Sequence, residues 1–413
     1  MLHFYHRADD PWSHLLLQVL PTLLERYDVP LRCVTVPLPP RDYFPRPDLV
    51  ARHALRDAVD LCRHCELHFE TGGVPPSGED AELASRRLLA AQDSPSHYLA
   101  LARQVGEALF RGDKARLQAL CGPQALPREA ALRRLEANQR RQLEAGHYNS
   151  GMLAFGGTWY WGVDRLPHLE HDLLTAGRRR PDASVGVLRR RSMSLPPPQG
   201  TAGLRGQPIE IDFFCSFRSP YAYLAAERTF GLQRRYPVRI RPRLIVPMKM
   251  AGFAIPELKA RYFRADPARE ALRHGLRFGN FRDPFGPGLE RAMALVDFAQ
   301  RSGKLEPYLL SVMQGVWADG IDTATDDGLG RLAERAGLDW HEARKELGAE
   351  DWRGWAAANR AELERIGQYA APTYRMGDWV TWGQDRIWML EREIQARLAS
   401  PSVSGALPAR VCT

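Results

Sequence analysis

The sequence contains little cysteine and no long apolar run. Six cysteines in 413 residues are too few and too scattered for a disulfide framework, which is typical of a reducing compartment. No apolar run approaches the roughly eighteen residues that a membrane helix needs. The first ten residues lack the basic start, apolar centre and small-residue cleavage site of a secretory signal. We therefore expect a cytoplasmic protein without structural disulfides or a membrane partner.

Positive charge is concentrated in one stretch of the chain. The net charge is +8, and the segment 177–207 holds seven arginines against a single acid, Asp182. This segment also contains three consecutive prolines and shows no apolar periodicity, so we predict an Arg/Pro-rich linker over 177–207. A solvated tether is the favoured interpretation, and a tether for nucleic acid or an anionic surface is the alternative. Because the flanking parts are nearly neutral, we expect no nucleic-acid partner for them.

The two flanking halves contain matching residues at constant spacing. Near the ends of the halves the spacing is 221 positions, and near the beginnings it is 209 positions. Two copies of one fold followed by divergence explain this pattern, so we predict domains over 1–176 and 208–400. The matching pairs include Pro11 and Pro220, Tyr27 and Tyr236, Asn138 and Asn359, Gly162 and Gly383, Asp164 and Asp385, and Glu170 and Glu391.

The second half shows a recognisable order of elements. An apolar strand comes first, and Ser219-Pro220 then supplies an N-cap residue with proline at the first helical position. A second strand, a long helical block, a hairpin and a last helix follow. This is the thioredoxin-fold order with a helical insertion, and we predict an α/β protein of two tandem thioredoxin-like domains, each with a large helical insertion. The predicted ranges are strands 209–217 and 238–246, a helical block 256–367, a hairpin 373–382 and a helix 385–398.

Three short motifs are candidates for chemistry in this architecture. Ser219 begins a helix whose unpaired N–H groups favour an anion or a thiolate. Pro372 enters the hairpin, where a cis peptide would leave the backbone of Ala371 available to an extended peptide ligand. Gln384 and Asp385 lie at the start of the last helix and supply a carboxylate there.

These motifs also carry a family resemblance. The second half, over essentially all of 208–398, resembles the 2-hydroxychromene-2-carboxylate isomerase and kappa-class glutathione transferase branch of the DsbA-like thioredoxin superfamily. The first half resembles it more weakly. Several spaced blocks occur in order, which makes the resemblance specific: 212–224, 259–262 with Asp266 and Arg269, 315–322, Pro372, and 382–386.

The resemblance implies that glutathione is a cosubstrate or cofactor and that no metal is used. Ser219 would donate a hydrogen bond to the glutathione thiolate. The remaining implied glutathione contacts are the Ala371 backbone beside Pro372, Lys259 at the glycine carboxylate, and Gln384 with Asp385 at the γ-glutamyl end. In such isomerases the bound thiolate is thought to add to an unsaturated carboxylate, allow bond rotation and leave again.

Some residues depart from the family pattern, and each assignment has a structural alternative. Phe253 and Ala222 stand where the family commonly has an asparagine and a second serine. Ser219 taken alone is more typical of a plain helix cap, and Pro372 together with the order of elements makes a functional role equally compatible. Asp385 is compatible with a cap or a partner for Arg386, and Lys259 with an ordinary surface charge.

The first half is predicted to lack thiol chemistry. It has Asp10 at the position of Ser219, and a carboxylate repels a thiolate. Gly151 stands at the position of Pro372. Cys62 and Cys65 have the spacing of a redox pair, but they lie late in an apolar helical stretch, where no helix N-terminus lowers the thiol pKa. A metal site that includes His64 and His68 is the less favoured alternative.

The sequence therefore predicts a glutathione-dependent isomerase or transferase that acts on a small unsaturated or aromatic carboxylate through the C-terminal domain. Dithiol exchange at the usual site is excluded, because positions 219 and 222 hold serine and alanine. The alternatives are a non-catalytic thioredoxin-fold binding module or a DsbA-family oxidoreductase-like protein without the redox pair. If the first half replaces a partner subunit, the chain is a pseudo-dimeric monomer.

Overall fold

The chain divides into two units. The computed structural model describes residues 1–190 and 208–399. Within these residues, 1–190 and 254–262 cluster as the first unit, whereas 208–253 and 263–399 cluster as the second. In the described ranges, no helix combines the length and the hydropathy needed to cross a membrane.

The first unit contains a four-stranded sheet of order β2-β1-β3-β4. β1 pairs in parallel with β2, and β3 is antiparallel to both β1 and β4. A helix connects β1 to β2, as a parallel pair requires. Over residues 1–190 the strands are β1 (Leu2–His6), β2 (Leu31–Thr35), β3 (Met152–Phe155) and β4 (Thr158–Trp161), and the helices are α1 (Pro11–Arg26), α2 (Pro47–His64), α3 (Gly78–Ala91), α4 (Pro95–Arg111), α5 (Lys114–Cys121), α6 (Arg128–Glu144) and α7 (Leu166–Thr175).

The second unit has a sheet with the equivalent order, β6-β5-β7-β8, and the same pattern of directions. Its strands are β5 (Ile209–Cys215), β6 (Val238–Leu244), β7 (Thr373–Met376) and β8 (Trp379–Trp382). The helices over 208–399 are α8 (Pro220–Phe230), α9 (Leu232–Arg235), α10 (Glu257–Arg273), α11 (Pro287–Ala294), α12 (Val296–Arg301), α13 (Leu305–Gln314), α14 (Asp326–Arg335), α15 (Trp340–Ala343), α16 (Asp351–Arg365) and α17 (Ile387–Ala399).

The core of the second unit lies on both faces of β5. Residues 211–215 of this strand are buried, as expected of a strand covered by helices on both sides of a sheet. Phe213 stacks on Tyr374 of β7 with ring centroids 5.5 Å apart. Phe214 packs with Ile245 and Leu363, and Ala371 lies against this cluster. The loop that precedes β7 is thereby fixed to the first strand of the sheet.

The predicted strands and hairpin of the second half are confirmed, with β7 and β8 at the expected residues. The predicted last helix begins later than expected. Residues 384–386 form a 3-10 turn, and α17 starts at Ile387, so Asp385 lies in the turn that leads into this helix.

Part of the predicted linker follows the first unit closely. The N–H of Asp28 donates to the carbonyl of Arg178 at 2.7 Å, and the N–H of Glu66 donates to that of Arg189 at 2.9 Å. Both oxygens of Glu170 accept backbone N–H groups of this segment, from Gly186 at 3.0 Å and from the following residue at 3.1 Å. Residues 191–207 lie outside the described residues.

Candidate functional site

Ser219 caps α8 at the carboxyl end of β5. Its Oγ accepts the N–H of Ala222 at 3.1 Å, and Pro220 occupies the first turn of the helix. Ser219 is half-buried. The predicted cap is therefore present, and a cap of this kind directs the helix N–H groups and their partial positive charge toward the same place.

The structure brings Ser219 and Ala371 together. The Ser219 hydroxyl donates to the carbonyl of Ala371 at 3.3 Å, which is long for an O–H···O bond. The peptide between Ala371 and Pro372 is cis, and the N–H of Gly383 donates to the carbonyl of Pro372 at 2.9 Å. The start of α8, the loop before β7 and the turn that leads to Asp385 are thus connected by hydrogen bonds.

Gln384 is placed inside the protein. Its side chain is almost completely buried, with 1% exposed. Its amide oxygen accepts from Arg228 of α8, and its amide nitrogen donates to Glu270 and to Oδ1 of Asp385. Arg228 lies nine residues beyond Ser219, which is about 13 Å along a helix. Gln384 therefore holds Asp385 and anchors the turn to α8.

Lys259 lies in the segment 254–262 that clusters with the first unit. It is buried rather than a surface charge, and its Nζ donates to the carbonyl of Tyr43 at 2.9 Å. Burial lowers the pKa of this amine to about 8. Its position is set by that unit, and its role toward a glutathione carboxylate stays a prediction.

Two contacts that the sequence did not predict fix the backbone just before Ser219. The indole N–H of Trp317 donates to the carbonyl of Phe217 at 3.0 Å, and Trp317 lies in a π-helical turn at 315–319. Arg218 makes a bidentate ion pair with Asp283, with both N···O distances at 2.7 Å. The block 315–322 was part of the family resemblance, but it gave no indication that Trp317 contacts Phe217.

The residues around Ser219 allow a thiol ligand but do not supply a thiol themselves. Ala222 stands in the first turn of α8, and Cys215 is completely buried, where desolvation raises the pKa of its thiol. The buried Oγ of Ser216 has no hydrogen-bond partner among the described residues. A buried hydroxyl without a partner is satisfied by water or by a polar ligand. The residues next to Ser219 in sequence therefore supply hydroxyl groups and a helix N-terminus, but Cys215 does not supply an accessible thiol.

The equivalent place in the first unit holds a carboxylate with three donors. Asp10 caps α1 and is buried. It accepts from the N–H of Trp12 at 3.2 Å, from Ser13 Oγ at 2.7 Å and from Ser150 Oγ at 2.9 Å. This carboxylate occupies the anion-favouring helix start, and Gly151 replaces the proline that follows Ala371 in the second unit.

A family comparison identifies the second unit. Residues 210–395 match the model of the DSBA-like thioredoxin domain. The C-terminal half of the chain is a DsbA-like thioredoxin domain. Its Ser219 lies after β5, at the start of α8.

The DsbA-like domain is similar to characterised isomerases. A 2-hydroxychromene-2-carboxylate isomerase of Sphingobium xenophagum is 27% identical over 191 residues, which cover 44% of this chain and 95% of that protein. A protein of the same name from Pseudomonas putida is 26% identical over 195 residues, or 44% and 92% of the two chains. A solved 2-hydroxychromene-2-carboxylate isomerase structure aligns with a TM-score of 0.41 at 23% identity, over 47% of this chain and all of the other.

Proposed function

We propose that the DsbA-like domain binds glutathione at Ser219 and acts as an isomerase or transferase of a small unsaturated or aromatic carboxylate. The hydrogen bond between Ser219 and Ala371 carries this proposal. It places a half-buried hydroxyl, the start of α8 and the peptide before Pro372 at one point. The similarity to isomerases over nearly their whole length supports the same reaction class.

The residues of this chain have distinct tasks in the proposal. Glutathione, when bound, supplies the thiolate nucleophile. Ser219 donates its hydroxyl hydrogen to the sulfur in place of the long bond to Ala371, and the α8 N-terminus favours the ionised form. Asp385 holds the ammonium group of the γ-glutamyl end. Gln384 is a positioning residue because its amide bonds Asp385 while its burial keeps it from the ligand.

We further propose that the first unit is a degenerate copy of the thioredoxin-like fold. The equivalent strand order and the constant residue spacing support this interpretation. Asp10 would keep a thiolate out of the first unit, because its buried carboxylate lies at the helix start. One glutathione per chain is the expected stoichiometry.

Titration calorimetry of the full chain with glutathione tests the proposal. The expected result is micromolar to millimolar binding with one site per chain. Ser219→Ala should weaken it by about tenfold, the effect of one charge-assisted hydrogen bond of about 1.4 kcal/mol.

The matched control is Ser77→Ala. Ser77 caps α3, and its Oγ accepts the N–H of Asp80 at 3.1 Å, the same distance as in the Ser219 cap. This variant should lose about 1 kcal/mol of stability, as Ser219→Ala does, and should bind glutathione like the parent. No binding at tens of millimolar glutathione, or equal effects of the two variants, contradicts the proposal and favours a non-catalytic binding module.

A further inference from the structure

Two cations, one of them on the residue that precedes Ser219, lie over one aromatic ring. The guanidinium carbon of Arg218 is 5.2 Å from the ring centroid of Phe285, and Nζ of Lys249 is 4.5 Å from it. Phe285 is 39% exposed, although large aromatic side chains are usually covered. All three residues belong to the second unit.

The position of Arg218 is set by its surroundings. Its neighbour Phe217 is completely buried, and the carbonyl of Phe217 is held by Trp317. The arginine side chain is 19% exposed, whereas its partner Asp283 is 40% exposed. The guanidinium is therefore the fixed member of the pair, and the carboxylate is the member nearer to solvent.

Asp283 shows that this guanidinium accepts a carboxylate in the bidentate geometry. Both of its oxygens lie 2.7 Å from Arg218 nitrogens, and Oδ1 also accepts the N–H of Phe285 at 3.1 Å. Burial opposes ionisation of Asp283, but the hydrogen bonds and charge of Arg218 outweigh it and lower its pKa. The charge of Lys249 acts in the same direction.

The group as a whole is positive. Arg218 and Lys249 carry two positive charges against one negative charge on Asp283. Arg218 also lies two residues before the first residue of α8, whose N-terminus carries a partial positive charge. Planar anions suit this arrangement, because a ring stacks on Phe285 and a carboxylate pairs with Arg218.

We propose that Arg218, Lys249 and Phe285 form the subsite for the second substrate, a planar aromatic or conjugated carboxylate that replaces Asp283 on Arg218. This inference rests on the proposed function, since that subsite is useful only beside the bound thiol at Ser219. Arg218 and Phe285 are then specificity-determining residues. Asp283 is an internal competitor that occupies the guanidinium in the absence of substrate.

Calorimetric titrations with trans-cinnamate and with its neutral analogue cinnamamide test the subsite on the full chain. In the parent protein the acid should bind at least about tenfold more tightly than the amide. Arg218→Gln should remove most of this difference, whereas Asp283→Asn should tighten cinnamate binding by about threefold or more. Neither change should alter cinnamamide binding, and Phe285→Ala should weaken both ligands.

Arg282→Gln is the matched control, because Arg282 precedes Asp283 and pairs with Asp322 at 3.1 Å. It should leave cinnamate binding unchanged. Equal affinity of the parent protein for cinnamate and cinnamamide overturns the subsite. Weaker cinnamate binding in Asp283→Asn also overturns it. The expected tighter binding in this variant cannot result from misfolding, which would only lower the affinity.

Glutathione titrations of the same variants separate the two hypotheses. Parent protein that binds cinnamate as expected but no glutathione contradicts the proposed function and leaves the anion subsite supported. Parent protein that binds glutathione but does not prefer cinnamate to cinnamamide contradicts the anion subsite and leaves the proposed function supported.

Discussion

Tyr236 donates its phenolic hydrogen to Oε1 of Glu391 at 2.7 Å. The same bond joins Tyr27 to Glu170 at 3.0 Å in the first unit. In each unit the tyrosine follows the helical segment between the first two strands, and the glutamate lies in the last helix. Burial and the carboxylate together raise the pKa of each tyrosine to about 12. Each unit therefore contains a tyrosine–glutamate hydrogen bond between the same two parts of its chain.

Substitution of Tyr236 by phenylalanine measures how much this hydrogen bond contributes to stability. Tyr236→Phe should lower the free energy of unfolding by about 1 to 2 kcal/mol, because Glu391 loses a donor that is shielded from water. Denaturant unfolding followed by circular dichroism is the measurement. Glu391→Gln keeps an acceptor oxygen but loses the ion pair with Arg235, so a smaller or equal loss is expected. Unchanged stability in Tyr236→Phe would show that water replaces the bond.

Glu170 should control access to the arginine-rich segment. Its carboxylate accepts from Tyr27 and from the N–H groups of Gly186 and Val187. Glu170→Ala removes all three bonds, and local opening should become about tenfold more frequent for each 1.4 kcal/mol lost. Limited proteolysis with trypsin should therefore cleave faster at 178–190.

The control for this experiment is Glu129→Ala. Glu129 is an exposed residue of the same unit and pairs with Arg133 at 3.6 Å. It should not change the tryptic pattern. Equal cleavage rates in Glu170→Ala and the parent would mean that the backbone bonds of Arg178 and Arg189 suffice to hold the segment.

The sequence predicted local structure more completely than side-chain partners. The hairpin of β7 and β8 was predicted at 373–382, and the start of α8 was predicted because serine and proline have fixed preferences at a helix start. These are local signals. The Arg218–Asp283 pair joins residues 65 positions apart, and nothing in the composition of either segment specifies it.

Burial was the second property that the sequence did not reveal. The family resemblance implied that Gln384 and Lys259 contact glutathione, and an exposed surface charge was the alternative for Lys259, because lysine side chains are usually exposed. The structure instead buries both, Gln384 among Arg228, Glu270 and Asp385 and Lys259 on the carbonyl of Tyr43. Such polar residues are buried only where distant partners satisfy them, which a periodicity argument does not detect.

Glu362 should make stability depend on pH in the acid range. Hydrogen bonds from Arg365 and Arg375 lower its pKa from 4.5 to about 2. The folded pKa lies below the unfolded one, so the stabilisation is present above pH 4.5 and is lost as the pH falls toward about 2. Glu362→Gln should cost about 1 to 2 kcal/mol at neutral pH, since the group is partly exposed.

The difference in unfolding free energy between the parent and Glu362→Gln, measured across this pH range, is the relevant quantity. It should shrink as the pH falls below 4.5. Glu334→Gln, at an exposed residue of α14, should show no such trend. A difference that is constant with pH would mean that the ion pairs with Arg365 and Arg375 do not persist in solution.

Substitutions of Gln384 and Asp385 should have different main effects, on stability and on glutathione binding respectively. Gln384→Leu removes an acceptor from Arg228 and a donor from Glu270 in a buried network, so it should cost about 2 to 4 kcal/mol of stability. Asp385 is only half-buried, and Asp385→Asn should weaken glutathione binding by about tenfold because an ion pair with the ligand is lost. Thermal unfolding and glutathione calorimetry on both variants give the comparison. If Gln384→Leu remains as stable as the parent and binds glutathione as tightly, the buried network does not hold Asp385 in place and the positioning role is wrong.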